Sequence, residues 1–102
     1  MLQFFKNIFF PTPVNFKELV QNGAVIVDVR SVQEFKSGHV KNAINIPLEQ
    51  VKQRIAELKK MNQPIITVCR SGARSSMAKQ WIAGAGITVF NGGAWNSLQS
   101  KI

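Results

Sequence analysis

Hydrophobic and polar positions change their period several times along the chain, and those changes divide it. The first thirteen residues, MLQFFKNIFFPTP, are dense in apolar side chains, with Leu2, Phe5 and Phe9 at roughly helical spacing and Phe4, Ile8 and Phe10 beside them. A helix built from them is greasy on most of its circumference and needs a surface to pack on. Its own domain is the plain choice; a second copy of the chain, or a membrane surface touched through residues 1–10, are the alternatives. Pro11 and Pro13 close the segment, because neither fits inside a helix and each biases its predecessor to extended geometry. The chain therefore reads as an apolar segment over 1–13 and a domain over 14–102.

Within the domain, Asn15 and Glu18 have capping-box spacing, which predicts a helix from Phe16 to about Gln21, stopped by Asn22-Gly23. The run AVIVDV, residues 24–29, is apolar, β-branched and too short for a buried helix, so it predicts a strand covered on both faces. Ser31 and Glu34 repeat the capping pattern and open a helix that Gly38 ends, and Asn42 to Pro47 reads as a brief strand. Leu48, Val51, Ile55 and Leu58 then recur three and four apart with Lys52, Arg54, Glu57 and Lys59 between them, which predicts one amphipathic helix over Leu48–Met61. Pro64 resets the chain for a strand over Ile65–Val68, helical spacing returns over Ala73–Ile82, and Ile87–Phe90 is a last apolar run before Asn91-Gly92-Gly93, read as a turn. Strands and helices alternating at short intervals predict an α/β fold: a small, mainly parallel sheet with helices on both faces. Ligand sites in such sheets lie outside the carboxyl ends of the strands.

Composition narrows the picture. The chain's 102 residues support one domain, and its single cysteine, Cys69, excludes both an internal disulfide and a zinc site made of several thiolates. A lone thiol fits a reducing compartment, and the start lacks the cleavage site of a signal peptide, so the expected location is cytoplasmic. The net charge is +8, but the 13 lysines and arginines are spread from Lys6 to Lys101, with Lys59-Lys60 the one adjacent pair. Such spreading points to a solvated surface and to small anionic substrates, not to nucleic acid.

Cys69 closes the apolar strand and is followed by Arg70, Ser71, Gly72, Ala73, Arg74 and Ser75. Free cysteines are often simple core residues, yet a packing cysteine gains nothing from two arginines and a glycine turn. At a strand exit that leads into a helix, backbone amides, the helix N-terminus and the arginines all favour thiolate over thiol; cysteines in such settings titrate at roughly 3.5 to 7.5 instead of about 8.5. Gly72 gives the backbone the freedom that an anion-cradling turn requires.

The stretches DVRSVQEFKSGHVKNAINIP, residues 28–47, and VCRSGARS, residues 68–75, resemble the two signature regions of rhodanese-like domains, and the likeness runs from about Val14 to Trp95. It implies a sulfurtransferase of the thiosulfate type, needing no metal or organic cofactor. Its cysteine takes a sulfane sulfur from a small anionic donor as a persulfide and passes it to a thiol or to cyanide. Carried over, the resemblance makes Cys69 the nucleophile and the backbone N–H groups from Arg70 to Ser75 the cradle. Arg74 would fix the loop and attract the donor, and Arg70 would face the substrate. Asp28 and Arg30 would be a buried polar pair supporting the loop, and His39, in its Gly38-His39 turn, would be structural. At its carboxyl end the chain departs from the usual pattern: the connection from Gly86 to Gly92-Gly93 is short and Trp95 follows early, which concerns the C-terminal cap.

Two rivals are set against this. Phosphatases and some arsenate reductases of the same fold also use a cysteine loop ending in arginine, but the phosphatase loop has seven residues, whereas Cys69 to Arg74 is six and holds no acid to protonate a leaving alcohol. The other rival is a module that relays sulfur for a partner without turning over a free substrate.

Overall fold

The structure, a computed structural model, describes residues 13–102, so the packing expected of residues 1–10 lies outside the described residues. In chain order the elements are α1 (Phe16–Gln21), β1 (Val25–Asp28), α2 (Val32–Ser37), β2 (Ile44–Asn45), two 3-10 turns (Leu48–Gln50 and Lys52–Arg54), α3 (Ile55–Lys60), β3 (Ile65–Cys69), α4 (Ala73–Gly84), β4 (Val89–Ala94) and α5 (Trp95–Lys101). Both helices start at the expected caps, but only the second forms the full box. Asn15 Oδ1 accepts from the Glu18 amide at 3.0 Å to start α1. For α2 the box is reciprocal: Ser31 Oγ accepts from the Glu34 amide at 3.2 Å and Glu34 Oε1 accepts from the Ser31 amide at 3.1 Å. Each cap satisfies an amide the helix cannot pair internally, a gain of about 1 kcal/mol.

The strands form one sheet in the order β2-β1-β3-β4, parallel at every pairing. The period-two alternation of a strand then sorts side chains to two cores. Val27, Ile65 and Cys69 face Leu58 of α3 and Ala78 and Ile82 of α4, while Ile26, Ile66 and Val68 face Leu98 of α5 with Leu19 and Val20 of α1. This is the α/β sheet with helices on both faces that the sequence pattern predicts. Fully burying one such aliphatic side chain is worth about 1.5–3 kcal/mol, so short helices with modest propensity are held by their inner faces. No helix among the described residues is long and apolar enough to cross a membrane.

Two expectations need correction. The single helix over Leu48–Met61 is broken into the two 3-10 turns and α3, with Arg54 leaving helical geometry at φ −111°. The Leu48 amide is held by the Val29 carbonyl at 3.0 Å, and the Gln50 and Val51 amides reach back three residues instead of four, to Pro47 and Leu48. A three-residue apolar step such as Leu48 to Val51 suits a 3-10 turn as well as an α-helix, so the spacing alone could not separate them. The second correction is that Asn91-Gly92-Gly93 is no turn; β4 runs through it and passes directly into α5. Its register slips there, Thr67 opposing Asn91 and Val68 opposing Gly93, which leaves Gly92 as the extra residue of a bulge.

The order of strands matters for the site. From β1 the chain moves outward to β2, and from β3 it moves outward the other way to β4, so the crevice between the ends of β1 and β3 is a topological switch point. Asp28 and Cys69 stand at those two ends.

The bulge generates a stability test. A Cβ on Gly92 would lie 2.9 Å from Ile66 Cγ2, 2.9 Å from Val68 Cγ1 and 3.1 Å from the Thr67 carbonyl oxygen, all inside the sheet, whereas a Cβ on Gly84 meets nothing within 4 Å. Gly92→Ala is expected to cost about 1–3 kcal/mol, a drop in Tm of roughly 4–8 °C per kcal/mol for a domain of this size, and Gly84→Ala to leave Tm unchanged or slightly raised. Thermal unfolding followed by circular dichroism reads both; equal Tm values would contradict the close approach at the bulge.

Candidate active site

β3 delivers Cys69 to the edge of the sheet, and the chain turns back at once into α4. Gly72 makes that turn possible: it sits at φ +99°, the left-handed region that a side chain disfavours, as the residue before the first turn of α4. In this conformation the Gly72 amide points at Cys69 Sγ, 3.0 Å away, and the Ser75 amide, from the first turn of α4, reaches the same sulfur at 3.4 Å. The helix is pinned to the strand from behind, where the Thr67 hydroxyl donates to the Ser75 carbonyl at 2.9 Å. Of the loop amides expected to form the cradle, those of Gly72 and Ser75 therefore bond the sulfur itself. Those of Ala73 and Arg74, at the open end of the helix, bond no acceptor among the described residues.

Cys69 is only 1% exposed. Burial pushes its thiol up, and the Ser75 hydroxyl and amide, then the Gly72 amide and the nearby Ser71 N–H, push it down; their sum places the group below the ordinary value for a cysteine. The sulfur thus has hydrocarbon on its inner side and oriented N–H groups on its outer side. Its backbone donors are fixed by the turn and need no reorganisation when the sulfur ionises.

The two arginines of the loop have different surroundings. Arg74 is clamped by Glu34 of α2 in a two-bond fork, Nη1 to Oε1 at 2.8 Å and Nη2 to Oε2 at 3.0 Å. Arg70 is exposed and has no ion-pair partner among the described residues. Arg74 is thus geometrically committed to holding the loop against α2, and Arg70 is the loop's free cation. Ser71 and Ala73 are exposed on the same rim.

Asp28 and Arg30 are buried together at the end of β1, at 0% and 3% exposure. Arg30 Nη2 donates to Asp28 Oδ2 at 2.7 Å and to the Gly38 carbonyl at 2.6 Å, Nε bridges both carboxylate oxygens at 2.9 and 3.0 Å, and the Trp95 ring lies over the guanidinium at 4.8 Å. A buried charge pair is tolerable when its lone pairs and protons are used in this way. The pair makes no hydrogen bond to the cysteine loop; it ties β1, the Gly38 turn and α5 together beside it. His39 is exposed, donates Nδ1–H to the Phe35 carbonyl at 2.7 Å and stacks on the Phe35 ring at 3.7 Å, so it takes part in local packing and is not brought to the sulfur.

Sequence reasoning missed Asn91. Its Oδ1 accepts from the Ser75 hydroxyl at 2.7 Å and from the Gly93 amide at 2.9 Å, and its Nδ2 donates to the Gly72 carbonyl at 3.3 Å. Glu34, whose spacing from Ser31 signals only a cap, also holds Arg74. For Asn91 the chain carries no signal beyond a polar residue before two glycines, which is also how a turn looks.

The Glu34–Arg74 fork predicts an acid response. Hydrogen bonds from Arg74, and then from the Ser31 amide, hold the Glu34 carboxyl down from 4.5 to about 2. Since the folded value is below the unfolded one, the contribution is complete above 4.5 and is lost as pH falls through about 2. Both side chains are about one-third exposed, so the pair is worth about 0.5–1 kcal/mol. Glu34→Gln should lower Tm at pH 7, with the difference from the parent shrinking as the pH approaches 2; a pH-independent difference would show that the fork does not act through charge.

Comparison with known proteins agrees with this geometry. The profile of the rhodanese-like domain matches residues 12–98. YqhL of Bacillus subtilis is 40% identical over 69 residues, 67% of this chain and 54% of the relative, so the chain spans about half the length of that protein. The thiosulfate sulfurtransferase PspE of Escherichia coli is 39% identical over 74 residues, 71% of each chain. Among solved structures, a rhodanese with anions from E. coli superposes with a TM-score of 0.67 at 33% identity, covering 72% of this chain and 89% of that one. With the cysteine loop at the switch point of a parallel sheet and the matching profile spanning nearly the whole domain, this chain belongs to the rhodanese-like domain family.

Proposed function

We propose that the protein is a sulfurtransferase that carries a sulfane sulfur on Cys69, taking it from thiosulfate or a similar anionic donor. The observation that carries this reading is the sulfur held by the Gly72 and Ser75 amides at 3.0 and 3.4 Å, with free amides of Ala73 and Arg74 at the helix end beside it. The Cys69 thiolate attacks the outer sulfur of the donor; the donor's S–S bond breaks and sulfite leaves with the electron pair. The persulfide anion is stabilised by the unpaired helix-end amides, and Arg70 draws the dianionic donor to the rim. In the second half-reaction cyanide or a thiolate attacks the outer sulfur, and the Cys69 thiolate is the leaving group. Sulfur parked on a carrier between two substrates gives ping-pong kinetics. The relatives named as thiosulfate sulfurtransferases support the choice of donor.

One feature favours a second reading, transfer to or from a partner protein. At 1% exposure the cysteine is not in open contact with solvent, so the rim must yield before a donor reaches it, and a docked partner could open it. Turnover with thiosulfate and cyanide alone supports the self-sufficient enzyme, and turnover seen only with a protein acceptor supports the relay.

Two experiments test the primary reading. Brief exposure to thiosulfate, followed by mass spectrometry, should add one sulfur to the parent and none to Cys69→Ser, whose sulfur transfer should fall to background; transfer at parental rate in that variant would remove Cys69 from the mechanism. Lengthening the loop by one glycine after Gly72 separates this chemistry from the seven-residue phosphatase type. The inserted residue displaces the Gly72 and Ser75 amides from the sulfur, so thiosulfate turnover should fall by about 10²-fold or more, on the scale of losing an oxyanion donor. Unchanged turnover would mean that the six-residue ring is not what holds the sulfur.

A further inference from the structure

The Ser75 hydroxyl has one proton and two acceptors within reach. Its oxygen lies 2.7 Å from Asn91 Oδ1 and 3.4 Å from Cys69 Sγ. A carboxamide oxygen only accepts, so at 2.7 Å the serine proton is on the Asn91 side. With that proton committed, Ser75 Oγ can only accept from the sulfur, which suits a thiol: Sγ–H donates to Oγ, and Oγ–H donates to Asn91. A thiolate has no proton to give. When the sulfur ionises and its proton passes to solvent, the hydroxyl can rotate and donate to Sγ, and Asn91 Oδ1 keeps the Gly93 amide at 2.9 Å as its remaining donor.

We propose that Asn91 is a positioning residue that competes with Cys69 for the single proton of the Ser75 hydroxyl, and so sets how readily the nucleophile ionises. It acts through Ser75 and does not touch the sulfur. Its amide also donates to the Gly72 carbonyl, the residue whose N–H bonds the sulfur from the other side, so one side chain braces both donors. The bulge is what aims it: in the register slip Asn91 opposes Thr67, and the extra residue, Gly92, lets the Gly93 amide fold back onto Asn91 Oδ1.

The charged groups around the sulfur do not take part in this competition. Arg70 and Arg74 lie on the loop, Lys79 is exposed further along α4, and Glu34 of α2 is engaged by Arg74 and its own cap. Asp28 and Arg30 at the end of β1 bond each other, Glu49 in the first 3-10 turn is exposed, and β4 carries no ionisable side chain. None of them hydrogen-bonds Ser75 or Asn91 side chains among the described residues. Alanine at positions 75 and 91 therefore leaves the charge around the thiol as it is; the charge that Asn91→Asp adds is present in both backgrounds and cancels in their comparison.

The proposal rests on Cys69 being the nucleophile, and its test reads the thiol without requiring sulfur transfer, so the two readings fail separately. The rate of Cys69 alkylation by iodoacetamide is measured against pH in the full chain and in Ser75→Ala, Asn91→Ala and the double variant. Ser75→Ala loses a hydrogen bond to a charged sulfur, and its alkylation at neutral pH should fall about tenfold, with the pH profile displaced upward. Asn91→Ala removes the competitor, and in the presence of Ser75 it should raise the rate about three- to tenfold above its effect in the Ser75→Ala background. Any loosening of the Gly72 carbonyl is common to both backgrounds and cancels in the comparison. Should Asn91→Ala not fold, Asn91→Asp gives the opposite sign, because a carboxylate holds the serine proton more strongly: the rate falls further with Ser75 present than without it. An effect at position 91 that is the same in both backgrounds, or an unmoved profile in Ser75→Ala, overturns the proposal.

Discussion

The hydrogen bond from the Gly72 amide to Cys69 Sγ is the contact around which this site is arranged. A sulfur at 1% exposure is in surroundings that resist charge, and an unaided thiol there would stay protonated. What reverses the balance is a set of N–H groups whose directions are fixed by the backbone, and the Gly72 amide, at 3.0 Å, is the shortest of them. Its direction depends on a positive φ, and that depends on having no side chain at position 72. A cradle built from backbone cannot swing away as side chains do, so burial strengthens it and does not merely oppose it: every donor acts through a medium less screening than water.

Holding that turn in place is the work of groups that never approach the sulfur. Thr67 fastens the first turn of α4 to β3, Glu34 fastens Arg74 to α2, and Asn91 fastens the Gly72 carbonyl to β4. On the β1 side, Asn45 Nδ2 donates to the Asp28 and Arg30 carbonyls at 3.0 and 2.9 Å, fixing the strand end that carries the buried ion pair. The Thr67 contact is local to β3 and α4, the Asn45 and Asn91 contacts join neighbouring strand ends, and the Glu34–Arg74 fork spans the switch point between β1 and β3. A parallel sheet brings them together because its crossovers return successive strand ends to the same edge.

That geometry also explains which parts were legible from sequence. Caps are local: Asn15 with Glu18 and Ser31 with Glu34 are three residues apart, and each N-cap forms, the reciprocal half of the box only at Glu34. Strand runs bounded by glycine and proline, and a cysteine followed by arginines and a glycine, are equally local. What went unread depends on partners. Leu48–Met61 kept its apolar spacing but broke its helix, because the Val29 carbonyl holds the Leu48 amide and pulls the entry into 3-10 geometry. Asn91-Gly92-Gly93 has turn composition, yet its glycine answers to the side chains of Ile66 and Val68 on the neighbouring strand. Asn91 acquires its place in the site only through that bulge.

Burial of the Cys69 sulfur and the different settings of the two arginines belong to one constraint. A cation beside a buried sulfur favours the thiolate, but a cation that also has to recognise a donor must be free to move toward it, and one side chain does both poorly. Here Arg74, held at two points by Glu34, contributes a fixed field and a fixed loop, while Arg70, exposed and without an ion-pair partner among the described residues, is the one that in the proposed reaction can follow an anion in from solvent. The fork with Glu34 offsets part of the Arg74 charge as seen from outside, whereas the Arg70 charge has no such partner among the described residues. Access in the proposed reaction follows from the same arrangement: the clamped half of the loop, at Arg74 and Ser75, keeps the N–H groups aimed, and under the proposed function the exposed half, at Arg70 and Ser71, is the side that gives way to a donor.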